Sequence, residues 1–226
     1  MTKAKGAVSA ALGVGGVAIC LLLSIGSAAS AAGGTTLCKV EENPCSAANH
    51  YPIGTELRNT SMMAEFLTTT GNVVCSKSAF QLETKTTSTG SNASSVELTI
   101  PTYFFSGCRI QTPSVDDSCT VTVLNGPYVG VIAHTTGASG TLSIKSSGAG
   151  NMAAKVDCGA GLLRCEFNFG TPSLEVLGAA SWSYTANRVA LSGTPYEGGV
   201  CPKEATWWGV YSSGPTPTAL YVESST

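Results

Sequence analysis

"CTVTVLNGPYVGVIAHTTGASGTLSIKS", residues 119–146, decides the fold class. Its side chains alternate in character. Cys119, Val121 and Val123 point one way and Thr120 and Thr122 the other, and Leu142 and Ile144 alternate with Ser143 and Lys145. A period of two belongs to strands with one buried face and one wet face, the arrangement of antiparallel sheets. Asn125-Gly126-Pro127 separates two such runs, and Asn and Gly tolerate the positive φ that tight turns need.

The pattern extends in both directions. "AEFLTT", "NVVCSK", "FQLETKT", "SVELTI", "AKVDC", "CEFNF", "SLEVL", "SWSY", "RVALS", "TWWGVY" and "ALYVE" are short runs rich in β-branched and aromatic residues, separated by Gly, Asn, Ser and Pro. Such spacing marks a sandwich or barrel, not alternating βαβ units. The expected fold is all-β: an antiparallel β-sandwich or barrel with disulfide-bridged hairpins, preceded by an N-terminal signal helix. Residues 1–31 read as a signal peptide, 32–54 as an irregular segment pinned by its own disulfide, and 55–226 as a single all-β domain.

The signal reading rests on Lys3 and Lys5, an apolar run through Gly26, and the small-residue string "SAASAAGG". Cleavage after Ala31 or Ala32 is favoured over an uncleaved anchor, although the uncharged stretch is long enough to span a bilayer. Removing 1–31 leaves ten basic and fourteen acidic side chains, few and dispersed. They form no basic patch of the kind that grips phosphate backbones, so nucleic acid is not expected as a partner. Neither is a membrane once the signal is cut.

Eight cysteines remain beyond Cys20, an even number behind an export signal, which implies a disulfide framework. Proximity in sequence suggests Cys38–Cys45, Cys108–Cys119 and Cys158–Cys165, leaving Cys75–Cys201 to close a long loop. In the chain-entropy picture the long bridge contributes ~5 kcal/mol and a short one ~2.5 kcal/mol. Six residues separate Cys158 from Cys165, which fits neither a zinc clamp nor a C-x-x-C redox pair. No metal and no cofactor are expected.

Catalytic candidates are sparse. His50 and His134 are the available imidazole bases, and neither a G-x-S-x-G elbow nor an H-E-x-x-H helix occurs. Asp157 and Glu166 flank the Cys158–Cys165 stretch and supply the acid pair a glycosidase requires. Asp116-Asp117 falls short of a calcium ligand set and reads as a polar turn. Binding is better served by Trp207 and Trp208. Adjacent strand residues face opposite ways, so one indole packs inward and the other faces out, where it can stack on a sugar or anchor a protein. Leu162 and Leu163, at the tip of their turn, either cap the core or form an exposed patch. Trp182 and Tyr184 read as core. Asn59-Thr60-Ser61 and Asn92-Ala93-Ser94 match the glycosylation sequon.

"VVCSKS" (73–78), "FSGC" (105–108), "CTVTVLNGPY" (119–128), "DCG" (157–159) and "GGVCPKEATWWGVY" (198–211) together resemble a loose group of small exported bacterial proteins, β-rich and disulfide-bonded. The resemblance implies export from a bacterium and supplies no catalytic or ligand residue. The expected role is a secreted or envelope-associated, non-enzymatic β-domain, structural or interacting, with a cell-wall glycan or another surface protein as partner. The competing readings are a secreted polysaccharide hydrolase and a carbohydrate-binding module with an exposed Trp.

Overall fold

The computed structural model describes residues 34–61, 63–86, 94–112, 116–213 and 219–225, so residues 1–31, read as a signal peptide, and Asn92 lie outside it. The chain is all-β, with no α-helix among the described residues and every strand pairing antiparallel. It forms a barrel. The strands are β1 (Gly34–Cys38), β2 (Glu56–Ser61), β3 (Ala64–Thr68), β4 (Asn72–Thr84), β5 (Val96–Gln111), β6 (Asp116–Leu124) and β7 (Tyr128–His134). They continue as β8 (Gly140–Ser146), β9 (Met152–Cys158), β10 (Leu163–Gly170), β11 (Ser173–Leu177), β12 (Ser183–Pro195), β13 (Glu204–Ser213) and β14 (Tyr221–Ser225).

Four long strands, in the hairpins β4–β5 and β12–β13, run the length of the barrel, and shorter strands fill the wall between them. Around one end the circuit is β4–β5–β6–β9–β10–β12–β13–β3; around the other it is β4–β5–β7–β8–β11–β12–β13–β2. Each circuit closes on itself with eight strands, the number whose interior side chains just fill. The two tiers share one core, in which Phe66, Phe167, Trp182, Trp207, Tyr184 and Tyr211 are the largest fully buried side chains.

The long strands change partners part-way. β5 pairs with β7 through Ile100 and with β6 from Cys108 onward; β12 pairs with β11 through Thr185 and with β10 from Ser192. A bulge lies near each change. In β5 it falls at Pro101, which has no N–H to lose from a ladder, and in β12 at Arg188, whose φ is 52°. An extra residue bends the strand and lets it serve two neighbours that diverge.

β1 and β14 cover the β7–β8 end. Although residues 32–54 read as irregular, Gly34–Cys38 pairs along its length with β14. This ribbon lies against the β7–β8 turn: Val222 N donates to Ala138 O at 2.9 Å and Thr35 Oγ1 accepts from His134 N at 2.9 Å. Glycine is required beneath it, because a Cβ on Gly178 would sit 1.9 Å from the Ala138 carbonyl oxygen. Such a strand is hard to foresee because its partner lies nearly the whole chain away.

The disulfides correct three of the four expected pairings. Cys38–Cys45 is present, but the others are Cys75–Cys108, Cys119–Cys158 and Cys165–Cys201. The reason is register. Cys75 on β4, Cys108 on β5, Cys119 on β6 and Cys158 on β9 lie directly opposite one another in succession, forming one row across four strands. Cys108 and Cys119 are therefore neighbours as expected, yet each bonds the cysteine on its other side. Cys158 faces Leu163, two residues short of Cys165, so the hairpin does not bring that pair opposite. Cys75 faces Ala64 on β3, which separates β4 from β13 at this level, while Cys201 reaches Cys165 on β10.

The three corrected bridges span 33, 39 and 36 residues, so chain entropy assigns each a similar ~4 kcal/mol, against ~2.5 kcal/mol for Cys38–Cys45. Replacing both members of Cys119–Cys158 by serine is therefore expected to lower the unfolding free energy by about as much as replacing Cys165 and Cys201. Denaturant titration checks this. A markedly larger loss for the Cys201 bridge would restore the nested arrangement, and non-reducing peptide mapping reads the pairing directly.

Candidate functional site

Where the long strands change partners the wall parts, and the two largest hollows described lie at these splits. The first, about 460 Å³, lies between β5 at Pro101–Phe104 and the β6–β7 turn, with Val123, Pro127 and Tyr128 opposite. The second, about 830 Å³, crosses β3, β13, β12 and β10. Here Ala190 and Leu191 have left β11, and pairing with β10 begins only at Ser192. Phe169, Leu191, Leu67 and Ala205 supply its apolar lining; Thr68, Thr69, Asn151, Asn168, Ser192 and Thr206 supply neutral hydrogen-bonding groups. Glu204 is the one carboxylate in that lining, and no Lys, Arg or His joins it.

Trp208 is not part of this lining but follows it on β13. It pairs with Glu65 of β3 and shares an outward face with Thr206, two residues earlier on β13 and part of the lining. Trp208 is half-buried. Trp207, its companion in the sequence reading, is 0% exposed and packs edge-on against Phe169 and Tyr211, so it is core and not a contact residue. The other proposed patch divides the same way: Leu162 is 44% exposed, whereas Leu163 is 0% exposed and faces Cys158 inside the barrel. Trp182 and Tyr184 are core, their rings in edge contact at 4.9 Å.

Register places the two acids diagonally on one face of the β9–β10 hairpin. Asp157 lies opposite Arg164 and accepts a bond from its Nε at 3.4 Å, while Glu166 lies opposite Lys155. Both sit on the outer side of the β9–β10 hairpin, each facing a cation, not across a cleft from one another. Asp116 is taken up by Arg109 at 2.7 Å, and Asp117 accepts from Ser118 N at 2.7 Å. The histidines hold local structure: His134 Nε2 contacts Gly137 O at 2.8 Å in the β7–β8 turn, and His50 Nε2 contacts Cys45 O at 3.2 Å. Asn59 is 1% exposed and points into the barrel, so its sequon cannot carry a glycan in the folded protein.

Inside the barrel a polar thread crosses the aromatic core. Tyr211 OH lies 3.0 Å from both Tyr103 OH and Ser78 Oγ, and Ser78 Oγ donates to Phe104 O at 3.1 Å. Burial pushes the Tyr211 phenol up to about 12, partly offset by these hydrogen bonds. Tyr103 is raised by burial first and then by Tyr211, and Tyr184 is raised by burial. The sequence reading passed over two residues that matter here. Tyr103 and Phe104 lie in "PTYFFSGC", where the adjacent aromatics carry the same in-and-out signal as the Trp pair.

No family model matches the chain, and no curated protein or solved structure is similar to it.

The buried phenols set an alkaline limit. Their folded pKa values are raised, so the neutral form stabilises the fold fully below the unfolded value near 10, and that stability is lost as pH rises through the folded value. The expected outcome is a melting temperature that is level up to about pH 9.5 and falls between pH 10 and 12. Tyr211→Phe should shrink the fall, as read by calorimetry alongside tyrosinate absorbance.

Proposed function

We propose that this protein is an exported, non-enzymatic β-barrel that binds an uncharged cell-surface glycan on the outer face of β3, β13, β12 and β10. The observation carrying the reading is the 830 Å³ hollow, with neutral hydrogen-bonding side chains around an apolar lining, and Trp208 two residues along β13 from Thr206 on the same outward face. Sugars present hydroxyl rims and apolar ring faces. Asn151, Asn168, Ser192 and Thr206 suit the first, while Leu67, Ala190 and an outward indole suit the second. Four disulfides fit an oxidising, extracellular setting, and the reading adds that the N-terminal segment directs secretion. Hydrolysis is less well supported, because the hollow offers Glu204 alone where two facing carboxyls are needed.

Of the three tryptophans, Trp182 and Trp207 are buried, so Trp208 alone reports events at the surface. Titrating the oxidised protein with uncharged oligosaccharides selected on a glycan array is expected to shift tryptophan emission in the wild type and not in Trp208→Phe. Trp208→Ala should weaken binding about tenfold. Retention of no uncharged glycan, or full binding by Trp208→Ala, would overturn the assignment. Release of new reducing ends would overturn its non-enzymatic part.

A further inference from the structure

A second site stands on the outer face of β2, β4 and β5 and shares no residue with the hollow beside Trp208. It is built on Phe104, a large aromatic left 43% exposed. Register explains its surroundings. Phe104 lies opposite Ala79, which lies opposite Thr60, so a small side chain stands beside the ring and leaves a step about 350 Å³ in volume. Gln81 and Lys77 occupy the flanking positions on β4, and Arg58 lies opposite Gln81 on β2. Two cations and no carboxylate line this step, on a protein whose acidic side chains outnumber its basic ones.

The cations are unequal. Arg58 shares its charge with Glu56 at 3.2 Å. Among the described residues Lys77 makes no ion pair, and its Nζ lies 5.7 Å from the centroid of the Phe104 ring. On the other side of Phe104 is the 460 Å³ hollow at the split between β5 and the β6–β7 turn, lined by Pro101, Tyr103, Pro127 and Tyr128 and carrying no charge. Phe104 and Thr102 line both. An aromatic ridge thus divides a cationic step from an apolar one.

We propose that this ridge binds an acidic saccharide, one whose sugar ring carries a carboxylate or a phosphate. The apolar face of the sugar rests on Phe104, Gln81 and Thr102 meet its hydroxyls, and Lys77, supported by Arg58, pairs with the anionic substituent. A lone anion would need no aromatic platform, and an uncharged sugar would need no unpaired lysine. Their juxtaposition selects a ligand that has both features. The neighbouring apolar hollow accommodates the next unit of an oligomer.

The test uses the oxidised exported protein and four probes in titration calorimetry: an oligogalacturonate, a mannose-6-phosphate oligosaccharide, an uncharged galactose oligosaccharide and poly-glutamate. At least one acidic saccharide should bind, more weakly as salt rises. Phe104→Ala should weaken that binding about tenfold and Lys77→Gln about fivefold, whereas Phe104→Tyr and Trp208→Ala should retain it. Preference for galacturonate or for phosphomannose identifies which acid the site takes. Phe104 faces solvent, so unchanged melting temperatures will show that the variants are folded. The proposal is overturned by no binding of either acidic saccharide, by equal binding of the uncharged one to Trp208→Ala, by equal binding of poly-glutamate, or by indifference to Phe104 and Lys77. Loss of binding in Trp208→Ala would transfer the ligand to the other hollow and overturn this site alone.

Discussion

The architecture depends on two hairpins that each serve two sets of neighbours. β4–β5 and β12–β13 are long enough to pass through both tiers, but the strands flanking β5 and β12 differ at the two ends. A regular strand could not keep hydrogen-bond register with both sets, because each barrel end imposes its own tilt. The bulges at Pro101 and Arg188 resolve the conflict by inserting a residue near the change of partner. Each bend costs ladder hydrogen bonds on one edge and opens the wall. The same constraint therefore closes two barrels on one core and creates the two largest hollows described.

This explains what could and could not be read from the chain. The strand alternation of 119–146 is a local property, and the all-β class followed from it directly. β2 was invisible because the inward positions of Glu56–Ser61 are Leu57, Asn59 and Ser61, only one of them apolar. Neighbouring runs in β12 looked like separate strands because a bulge interrupts their period, those in β4 because Ser76 and Lys77 are both exposed, and Pro101 broke β5 at its bulge. The disulfides failed differently. Four cysteines in one row give several pairings that register alone permits, and proximity in sequence then favours the wrong ones. Of the candidate sites, Trp208 was legible as one of an adjacent aromatic pair. Which indole faced outward depended on a sheet that the sequence did not display. The cationic step beside Phe104 was illegible, because Ala79 and Lys77 acquire meaning only when β4 lies against β5.

The two tiers are secured by different means. Cys75–Cys108, Cys119–Cys158 and Cys165–Cys201 all lie in the tier containing β6, β9 and β10. The other tier has the polar thread through Tyr103, Tyr211 and Ser78, and the ribbon of β1 and β14 over its end with Cys38–Cys45 beside it. Hydroxyl bonds among buried aromatics fix ring orientation at little volume cost, and an apolar core would not distinguish so firmly between alternative packings.

Rigid walls bear on recognition. A hollow at a split held shut above and below by paired strands cannot close around a ligand, so affinity there must come from side chains already in position. Freedom lost on binding is then small, and a few contacts suffice for useful affinity. The first split is bounded by Ile100 facing Tyr128 at one end and Cys108 facing Cys119 at the other, and both of those cysteines are themselves bonded outward. The bridges therefore do more than stabilise the fold. Cys75–Cys108 fixes β5 to β4 and Cys119–Cys158 fixes β6 to β9, so each strand beside the opening near Phe104 is braced by covalent attachment to its outer neighbour.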